Sequence, residues 1–462
     1  MLINENTWDY IRRHAADDVR RLPLQGAKDP AVDMTVALRQ IAGLQAARHR
    51  IPAWAATDGI VYPPHLNMEQ CSSELTARYK ALLATAPAGQ GSYADLTGGF
   101  GVDFYYMSQG FRQRSYVEQS ADLCDLARHN FGVLGLDCTV ACATAADYLA
   151  TMEPADVVYL DPARRDQHGA RTYSLEDCSP NVLTLLPLLQ RKARRLILKL
   201  SPMLDWRKAV SDLGHVSEVH IVSVDNECKE LVAVMSERNE RNERNERNEN
   251  EEMRNAAADL RVVCVDIRSR GGMSVFSYQP DDNPNDTAND TANDTANDTA
   301  NNQQPPLPAD ISPSSFLLPP SSKPSKSSKP SKPSKPSKPS KPSKTLYEPN
   351  ASVMKAGCFD ELSRAYGIRQ LAANSHLFVS SHEVDGFPGR AFQVCAVTTM
   401  NKRDLRAALD GIDRANISVR NFPMTADTLR RRLRLKDGGD VYIFATTVAN
   451  GDHRLFICRK KG

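Results

Sequence analysis

The sequence predicts an α/β protein: a mostly parallel β-sheet, preceded by a helical region and followed by smaller α+β regions. Three observations lead to this fold class. Between residues 93 and 200, five apolar segments alternate with helical patterns, which is typical of right-handed βαβ units. Two further apolar segments, 218–224 and 230–235, are joined by too few residues for a crossover helix, so we expect an antiparallel hairpin. A glycine-rich turn at 97–101 follows the first segment.

Residues 1–88 form the predicted N-terminal helical region. Apolar side chains recur at helical spacing from Val36 to Ala47, and Pro52 ends that run. A second helical segment at 68–85 leads into the glycine-rich turn. The start of the chain has no apolar stretch behind a basic head, so we expect no secretory signal.

Residues 89–235 form the predicted sheet domain. Its strands are expected at 93–96, 115–118, 139–142, 156–160, 195–200, 218–224 and 230–235. We expect the first five to be parallel with helices on both faces, and the last two to complete the sheet as an antiparallel hairpin.

Three repetitive tracts interrupt the rest of the chain. Residues 236–258 are a charged linker that repeats Glu-Arg-Asn. The insert at 280–345 holds four copies of Asn-Asp-Thr-Ala and a Lys-Pro-Ser repeat with eight lysines. Such low-complexity tracts bury too little apolar surface to offset the entropy of ordering, so we expect them to be disordered.

Residues 259–400, which contain the insert, and residues 401–462 predict two small α+β domains. The first is expected to have two strands around a Gly-Gly turn, a helix at 345–367 and two later strands. The second carries 14 lysines and arginines against seven aspartates. Five of these cations fall within seven positions: Arg430, Arg431, Arg432, Arg434 and Lys436. Clustered positive charge is typical of phosphate-backbone binding, and a solvated charged face is the alternative.

The composition excludes several classes of protein. Ten cysteines lie without a Cys-x-x-Cys pair and ten histidines without a cluster, so we expect neither a metal site nor a disulfide framework. Reduced thiols favour the cytoplasm. No run of eighteen apolar residues exists, so we expect no membrane span.

The glycine-rich turn follows Asp95 and ends at Gly101. A dinucleotide fingerprint, Gly-x-Gly-x-x-Gly, fails because Phe104 stands at its sixth position. Glu118 ends the second predicted strand, where a carboxylate can accept hydrogen bonds from both hydroxyls of a ribose. Asp147 follows the third strand, where an acid can accept from an adenine amino group. Because parallel strands end at one edge of a sheet, we expect the three acids to converge.

This pattern resembles the class I S-adenosylmethionine-dependent methyltransferases, a Rossmann-like family, over about 88–235. In that family the glycine turn packs against the methionine part of the cofactor, and the last two strands are antiparallel. The resemblance implies S-adenosyl-L-methionine as the cofactor. The residues that it implies for cofactor binding are Asp95, Thr97, Gly98, Gly99, Gly101, Glu118 and Asp147. Thr97 stands where the family's turn usually has glycine, and a tight turn for packing alone is the alternative.

Asp161 directly follows the fourth predicted strand, beside the expected methyl donor, and Pro162 restrains Asp161 to an extended conformation. The family often has Asn/Asp-Pro-Pro-aromatic here. Ala163 and Arg164 replace the last two, which disfavours methylation of an exocyclic amine. Ser201 stands where methylation of uridine carbon 5 would need a cysteine. A positioned carboxylate remains, able to orient or deprotonate an acceptor nitrogen or oxygen.

The catalytic candidates are therefore Asp161, Pro162 and Arg164. Arg165 and Arg171 could clamp an RNA phosphate, and ion pairs in a solvated loop are the alternative. We predict that Lys199 is a strand-end lysine rather than a catalytic residue.

Five longer stretches carry a resemblance to a more specific family. They are MEQCSSELTARYKA, DLTGGFGVD, YLDPARR, LYEPNASVMKAG and residues 415–446. They are similar to a bacterial family of class I methyltransferases with a ferredoxin-like middle domain and a C-terminal THUMP-like domain, here 259–400 and 401–462. The resemblance covers nearly the whole chain except the three tracts. THUMP-like modules are associated with RNA-modifying enzymes, so it implies a structured RNA substrate such as rRNA or tRNA. The alternatives are a methyltransferase of a protein or small molecule, and a non-catalytic RNA-binding protein.

Overall fold

The computed structural model describes residues 3–27, 29–85, 90–164, 175–236, 260–280 and 344–461. Within this part, the residues up to 224, with 229–236, 260–262 and 279–280, form one compact unit, and the remaining residues form a second. Nearly all of the predicted linker and insert lie outside the described residues. The domain boundaries given above remain a prediction.

The first unit begins with six helices in its described residues. They are α1 (Glu5–His14), α2 (Leu22–Gln25), α3 (Met34–Arg50), α4 (Pro52–Ala55), α5 (His65–Gln70) and α6 (Glu74–Ala81). The single helical segment expected at 68–85 is wrong, because the chain leaves the helix at Cys71 and begins a new one after Ser73. The Ser73 hydroxyl accepts the Thr76 N–H, which is the capping bond that starts α6.

The central sheet follows these helices. Its elements are β1 (Ser92–Asp95), α7 (Val102–Met107), β2 (Gln113–Glu118), α8 (Ala121–Val133), β3 (Thr139–Cys142), α9 (Ala145–Thr151), β4 (Ala155–Leu160), β5 (Ala163–Arg164), β6 (Cys178–Ser179), α10 (Val182–Lys192), β7 (Ala193–Leu200), α11 (Trp206–Leu213), β8 (Glu218–Val224) and β9 (Glu227–Ser236). Among the described residues, β5 and β6 pair with each other and form a separate two-stranded sheet.

The order of these strands across the sheet is β8-β9-β7-β4-β1-β2-β3. The five strands from β7 to β3 are parallel, and β9 runs antiparallel beside β7. The five parallel strands and the antiparallel ending are confirmed. β9 inserts between β7 and β8, so the last strand of the hairpin, rather than the first, contacts the parallel sheet.

The second unit contains the remaining strands and helices. They are most of β10 (Arg261–Ile267), β11 (Met273–Tyr278), β12 (Thr345–Pro349), α12 (Ala351–Ala356), α13 (Phe359–Tyr366), β13 (Arg369–Gln370), β14 (Phe378–Ser380), β15 (Gly389–Thr398), α14 (Lys402–Ala408), β16 (Asn416–Arg420), α15 (Ala426–Leu433), β17 (Val441–Thr447) and β18 (His453–Lys460). A seven-stranded sheet has the order β13-β14-β12-β15-β18-β17-β16.

The helix expected at 345–367 is a strand followed by two helices. Leu346 and Tyr347 are buried between β14 and β15, where β12 makes antiparallel ladders on both of its sides. Asn350 then caps α12 by accepting the Val353 N–H at 3.1 Å. Non-local pairing therefore overrides the local helical pattern of the first five residues.

A buried charge network joins the N-terminal helices to the sheet. The Lys80 ammonium, on α6, is completely buried and lies 3.0 Å from Asp103 Oδ1 and 2.9 Å from Glu230 Oε2. Ser72 and Tyr159 each donate a hydroxyl hydrogen bond to Asp103 Oδ2 at 2.7 Å. Burial opposes the ionisation of Asp103, but the nearby lysines and these hydroxyls outweigh it and hold the pKa of Asp103 below its usual value.

Replacing Lys80 with methionine leaves the buried carboxylates of Asp103 and Glu230 without the cation that contacts both directly. Removing one partner of a buried ion pair costs about 3–5 kcal/mol, so the free energy of unfolding should fall by roughly that amount. Urea denaturation followed by circular dichroism measures it. Lys208→Met is the control, because Lys208 pairs with Asp212 at the surface, and its denaturation midpoint should not change. Equal losses in the two variants would contradict a special role for the buried network.

Candidate active site

The chain order reverses at β1. Strand β2 pairs with one side of β1 and β4 with the other, so Asp95 lies beside both Tyr116 and Tyr159. In open parallel sheets, ligands bind in the crevice at the carboxyl ends of the strands at such a switch point. The residues that follow β1, β2 and β4 define the candidate site.

Two glycines of the turn are required by what surrounds them. A Cβ on Gly98 would lie 2.1 Å from the ring of Tyr116, and one on Gly101 would lie 2.7 Å from the ring of Phe131. The backbone of Gly101 also has φ +87°, a conformation that residues other than glycine rarely adopt. At Gly99 the nearest heavy atom to an added Cβ is the Thr97 carbonyl oxygen at 3.8 Å. The turn therefore packs tightly on its inner side and stays open at Gly99.

Asp95 supports the turn from within. Its side chain is buried, at 1% exposure, and Oδ1 accepts the Thr97 N–H at 2.9 Å. Burial raises the pKa of Asp95 well above its usual value, opposed by the Thr97 N–H and reinforced by neighbouring carboxylates. The structure thus places Asp95 under the loop rather than on its open side.

Thr97 connects the turn to the end of β4. Its hydroxyl oxygen accepts the Asp161 N–H at 2.7 Å, and Asp95 Oδ1 lies 3.4 Å from the same hydroxyl. From the sequence, Thr97 was expected among the cofactor-binding residues and as a departure from the family's glycine, but its bond to Asp161 was not predicted. A hydroxyl residue two positions after a buried acid was the available signal.

Glu118 is fixed at the end of β2 by backbone donors. Oε2 accepts the Gly99 N–H and Oε1 accepts the Ser120 N–H, each at 2.9 Å. The carboxylate is therefore held directly against the glycine turn, and its orientation is set before any ligand binds.

Asp147 lies in the first turn of α9 and is exposed. Its carboxylate accepts the Thr144 hydroxyl at 2.7 Å, and its own N–H donates to Thr144 Oγ1 at 3.1 Å. This is a helix-capping arrangement. Asp147 follows β3 as predicted, and in the structure Thr144 caps α9 by accepting the N–H of Asp147.

Asp161 and Lys199 form an ion pair at the ends of two neighbouring strands. Lys199 Nζ donates to Asp161 Oδ2 at 2.5 Å, and the side chains are 14% and 34% exposed. Pro162 is buried, and the backbone of Arg164 pairs with Cys178. Arg165 and Arg171 lie outside the described residues. The contact between Lys199 and Asp161 was not predicted from the sequence, because it depends on the pairing of β4 with β7.

Several known proteins and protein families are similar to this chain in sequence or in fold. A family model described as a ferredoxin-like domain matches residues 346–388, and one described as THUMP domain-like matches residues 389–460. A crystal structure of a proposed methyltransferase from Porphyromonas gingivalis W83 covers all of both chains, with 25% identity and a TM-score of 0.74. Two uncharacterized S-adenosylmethionine-dependent methyltransferases from Mycobacterium tuberculosis, strains CDC 1551 / Oshkosh and H37Rv, are 23% identical over 342 residues, 72% of each chain.

This chain is a class I S-adenosylmethionine-dependent methyltransferase. Its cofactor is S-adenosyl-L-methionine, and its C-terminal part carries the ferredoxin-like and THUMP-like domains. The donor set suits that cofactor, since the turn is open at Gly99 and a fixed carboxylate, Glu118, stands beside it. In the part of the chain that the structure describes, no group of His, Cys, Asp or Glu could hold a metal ion.

No helix among the described residues is both long and apolar enough to span a membrane.

The cations on and directly after the arginine-rich helix α15 of this methyltransferase fall into two groups, one ion-paired and the other exposed. Arg430 donates to Asp427 at 2.8 Å and to Asp437 at 2.7 Å, and its side chain is 23% exposed. The other four cations of the predicted cluster are exposed: Arg431, Arg432, Arg434 and Lys436. The structure therefore places Arg430 in intramolecular ion pairs, whereas the other four face solvent.

A methyl group added at Gly98 should disrupt the turn. The Tyr116 ring would have to move, and overpacking of this kind costs about 1–3 kcal/mol. We expect Gly98→Ala to lower the free energy of unfolding by that amount and to weaken cofactor binding measured by calorimetry. Gly132→Ala is the control, because an added Cβ there meets nothing within 4 Å. An unchanged Gly98→Ala variant would show that the ring contact does not constrain the turn.

Proposed function

We propose that this protein transfers a methyl group from S-adenosyl-L-methionine to a structured RNA such as rRNA or tRNA. The observation that carries the RNA assignment is the match of residues 389–460 to the THUMP domain-like family. As the family resemblance implies, such modules are associated with RNA-modifying enzymes. Four exposed cations on and after α15 add the charge that phosphate contacts need.

The cofactor would be held at the carboxyl ends of β1, β2 and β3. Glu118, with both oxygens fixed by backbone N–H groups, would accept hydrogen bonds from the ribose hydroxyls. The open side at Gly99 leaves room for a ligand against the backbone. Asp95 and Gly98 would shape the turn, and Asp147 would contribute at the end of β3.

Asp161 would hold the acceptor group. It directly follows β4, next to the turn, and its own N–H is fixed by Thr97. Bound S-adenosyl-L-methionine supplies an activated methyl group. The protein's contribution is then alignment and removal of a proton. Asp161 orients the acceptor N–H or O–H and accepts its proton as the methyl group is transferred and S-adenosyl-L-homocysteine leaves. Alignment supplies a large part of many rate enhancements.

The test of this function uses methyl-labelled cofactor and an extract from a strain that lacks the protein. After reaction, the RNA, protein and small-molecule fractions are separated and counted. Label in RNA that falls sharply with Asp161→Asn, to a low but measurable rate, is the expected result. Label confined to the protein or small-molecule fraction would overturn the RNA assignment. RNA binding without label in any fraction would favour a non-catalytic RNA-binding protein.

Glu118 gives a prediction on cofactor affinity. Glu118→Ala removes the expected acceptor for the ribose hydroxyls and frees two backbone N–H groups. Hydrogen bonds to a charged group contribute about 1.5–3 kcal/mol, so the Kd measured by calorimetry should rise roughly ten- to hundredfold. Glu153→Ala, a change of another acidic residue outside the site, is the control. An unchanged Kd for Glu118→Ala would place the cofactor elsewhere.

Arg431 and Arg434 give a prediction on RNA binding. The double variant Arg431→Gln/Arg434→Gln should weaken binding and reduce the dependence of log K on log salt by about one for each lost phosphate contact. Binding is measured by filter retention over a salt series. The matched control is Arg20→Gln/Arg21→Gln, which removes the same charge from exposed positions in the first unit. Equal effects in the two double variants would indicate a general charge effect and contradict a specific RNA surface on α15.

A further inference from the structure

We propose that Lys199 is a positioning residue for methyl transfer, which acts by holding one oxygen of Asp161 so that the other is directed at the acceptor group. This inference rests on the proposed methyl transfer and deepens it. It concerns a residue that lies in a regular strand and carries no motif of its own.

The backbone brings the two residues together. Strands β4 and β7 are parallel neighbours with Leu160 beside Leu198, so Asp161 and Lys199 are the next residues along each strand. The Lys199 ammonium contacts Oδ2 of Asp161 at 2.5 Å. Thr97 holds the Asp161 N–H at 2.7 Å from the other side. Both the main chain and the carboxylate of Asp161 are therefore fixed.

Lys199 is charged throughout the neutral range. Burial opposes its ionisation, but the carboxylates of Asp161, Asp103 and Glu230 outweigh that effect and raise the pKa of Lys199 above its usual value. An ion pair with side chains only 14% and 34% exposed is screened less by water than a surface pair. Lys199 is thus a permanent, partly shielded cation on one side of the candidate acceptor site.

This pairing decides which oxygen of Asp161 is available. Among the described residues, Oδ2 accepts from Lys199 and Oδ1 accepts no hydrogen bond. An acceptor N–H or O–H would therefore donate to Oδ1, whose direction is set by the ion pair. Without Lys199 the carboxylate is free to rotate about its side-chain bonds, and a misplacement of about 1 Å can cost on the order of 100-fold in rate.

The experiment compares the wild-type protein with Lys199→Met, Lys199→Arg, Asp161→Asn and the double variant Asp161→Asn/Lys199→Met. Steady-state methyl transfer is measured on whichever fraction of the extract the wild-type protein labels. Calorimetry measures the Kd for the cofactor, and thermal unfolding checks the fold. Lys192→Met is the matched control, because Lys192 is a partly buried lysine that donates to the Met152 carbonyl oxygen at 2.6 Å, away from Asp161.

We expect Lys199→Met to lower kcat roughly 10- to 100-fold, with KM and cofactor Kd nearly unchanged. Lys199→Arg should recover part of that loss, because a guanidinium can still hold the carboxylate. In the Asp161→Asn background, loss of Lys199 should lower kcat by less than about threefold, because residues that act through one another are not additive.

An unchanged kcat in Lys199→Met, with label still transferred to RNA, would overturn this inference and leave the proposed function intact. A further large loss on removing Lys199 from Asp161→Asn would also overturn it, since Lys199 would then act independently of Asp161. Label in protein instead of RNA would overturn the RNA assignment, and the same variants assayed on protein would still decide the role of Lys199. No label in any fraction would overturn both.

Discussion

Parallel pairing of β1 with both β2 and β4 brings the residues of the candidate site together at one edge of the sheet. Because both neighbours run in the same direction as β1, the chain leaves all three strands at one edge of the sheet. Thr97, Glu118 and Asp161 come from three separate stretches of sequence and meet there within hydrogen-bonding reach of one glycine turn. A single antiparallel strand in this position would send one of them to the opposite edge.

The interior of the first unit contains buried charged side chains that pair with one another. Lys80 is fully buried with Asp103 and Glu230, and Lys199 interacts electrostatically with both of these carboxylates. Charges of this kind are costly to bury and are stable only when paired. Lys80 comes from the N-terminal helical region, so that region completes the charge balance beneath the site as well as covering apolar surface.

The sequence was most informative where a pattern is local. The alternation of apolar segments predicted the five parallel strands, and the short link between the last two predicted their antiparallel direction. Ser73 and Asn350 show where local reading failed. Ser73 divides an expected helix by capping the next one. The stretch before Asn350 is a strand because it pairs with β14 and β15. A local pattern does not reveal this pairing, since the paired residues lie more than thirty positions away in the chain.

The residues of the candidate site likewise divide into those that a local pattern predicts and those that depend on non-local pairing. Asp161 and Glu118 could be placed from the ends of predicted strands, because strand direction alone determines that edge. The bond between Lys199 and Asp161 depends on register: a shift of one residue in the pairing of β4 with β7 would turn the lysine to the other face of the sheet. Register is set by the packing of whole strands, which a single sequence does not reveal.

The hydroxyl of Thr97 connects two segments of the candidate site by hydrogen bonds. On one side it belongs to the loop that would surround the cofactor, and on the other it holds the N–H of the residue proposed to face the acceptor. The position of the loop and the position of Asp161 are therefore coupled through one hydrogen bond. In kinetic terms, this shared contact means that a change at Thr97 would alter the binding of the cofactor and the alignment of the acceptor together.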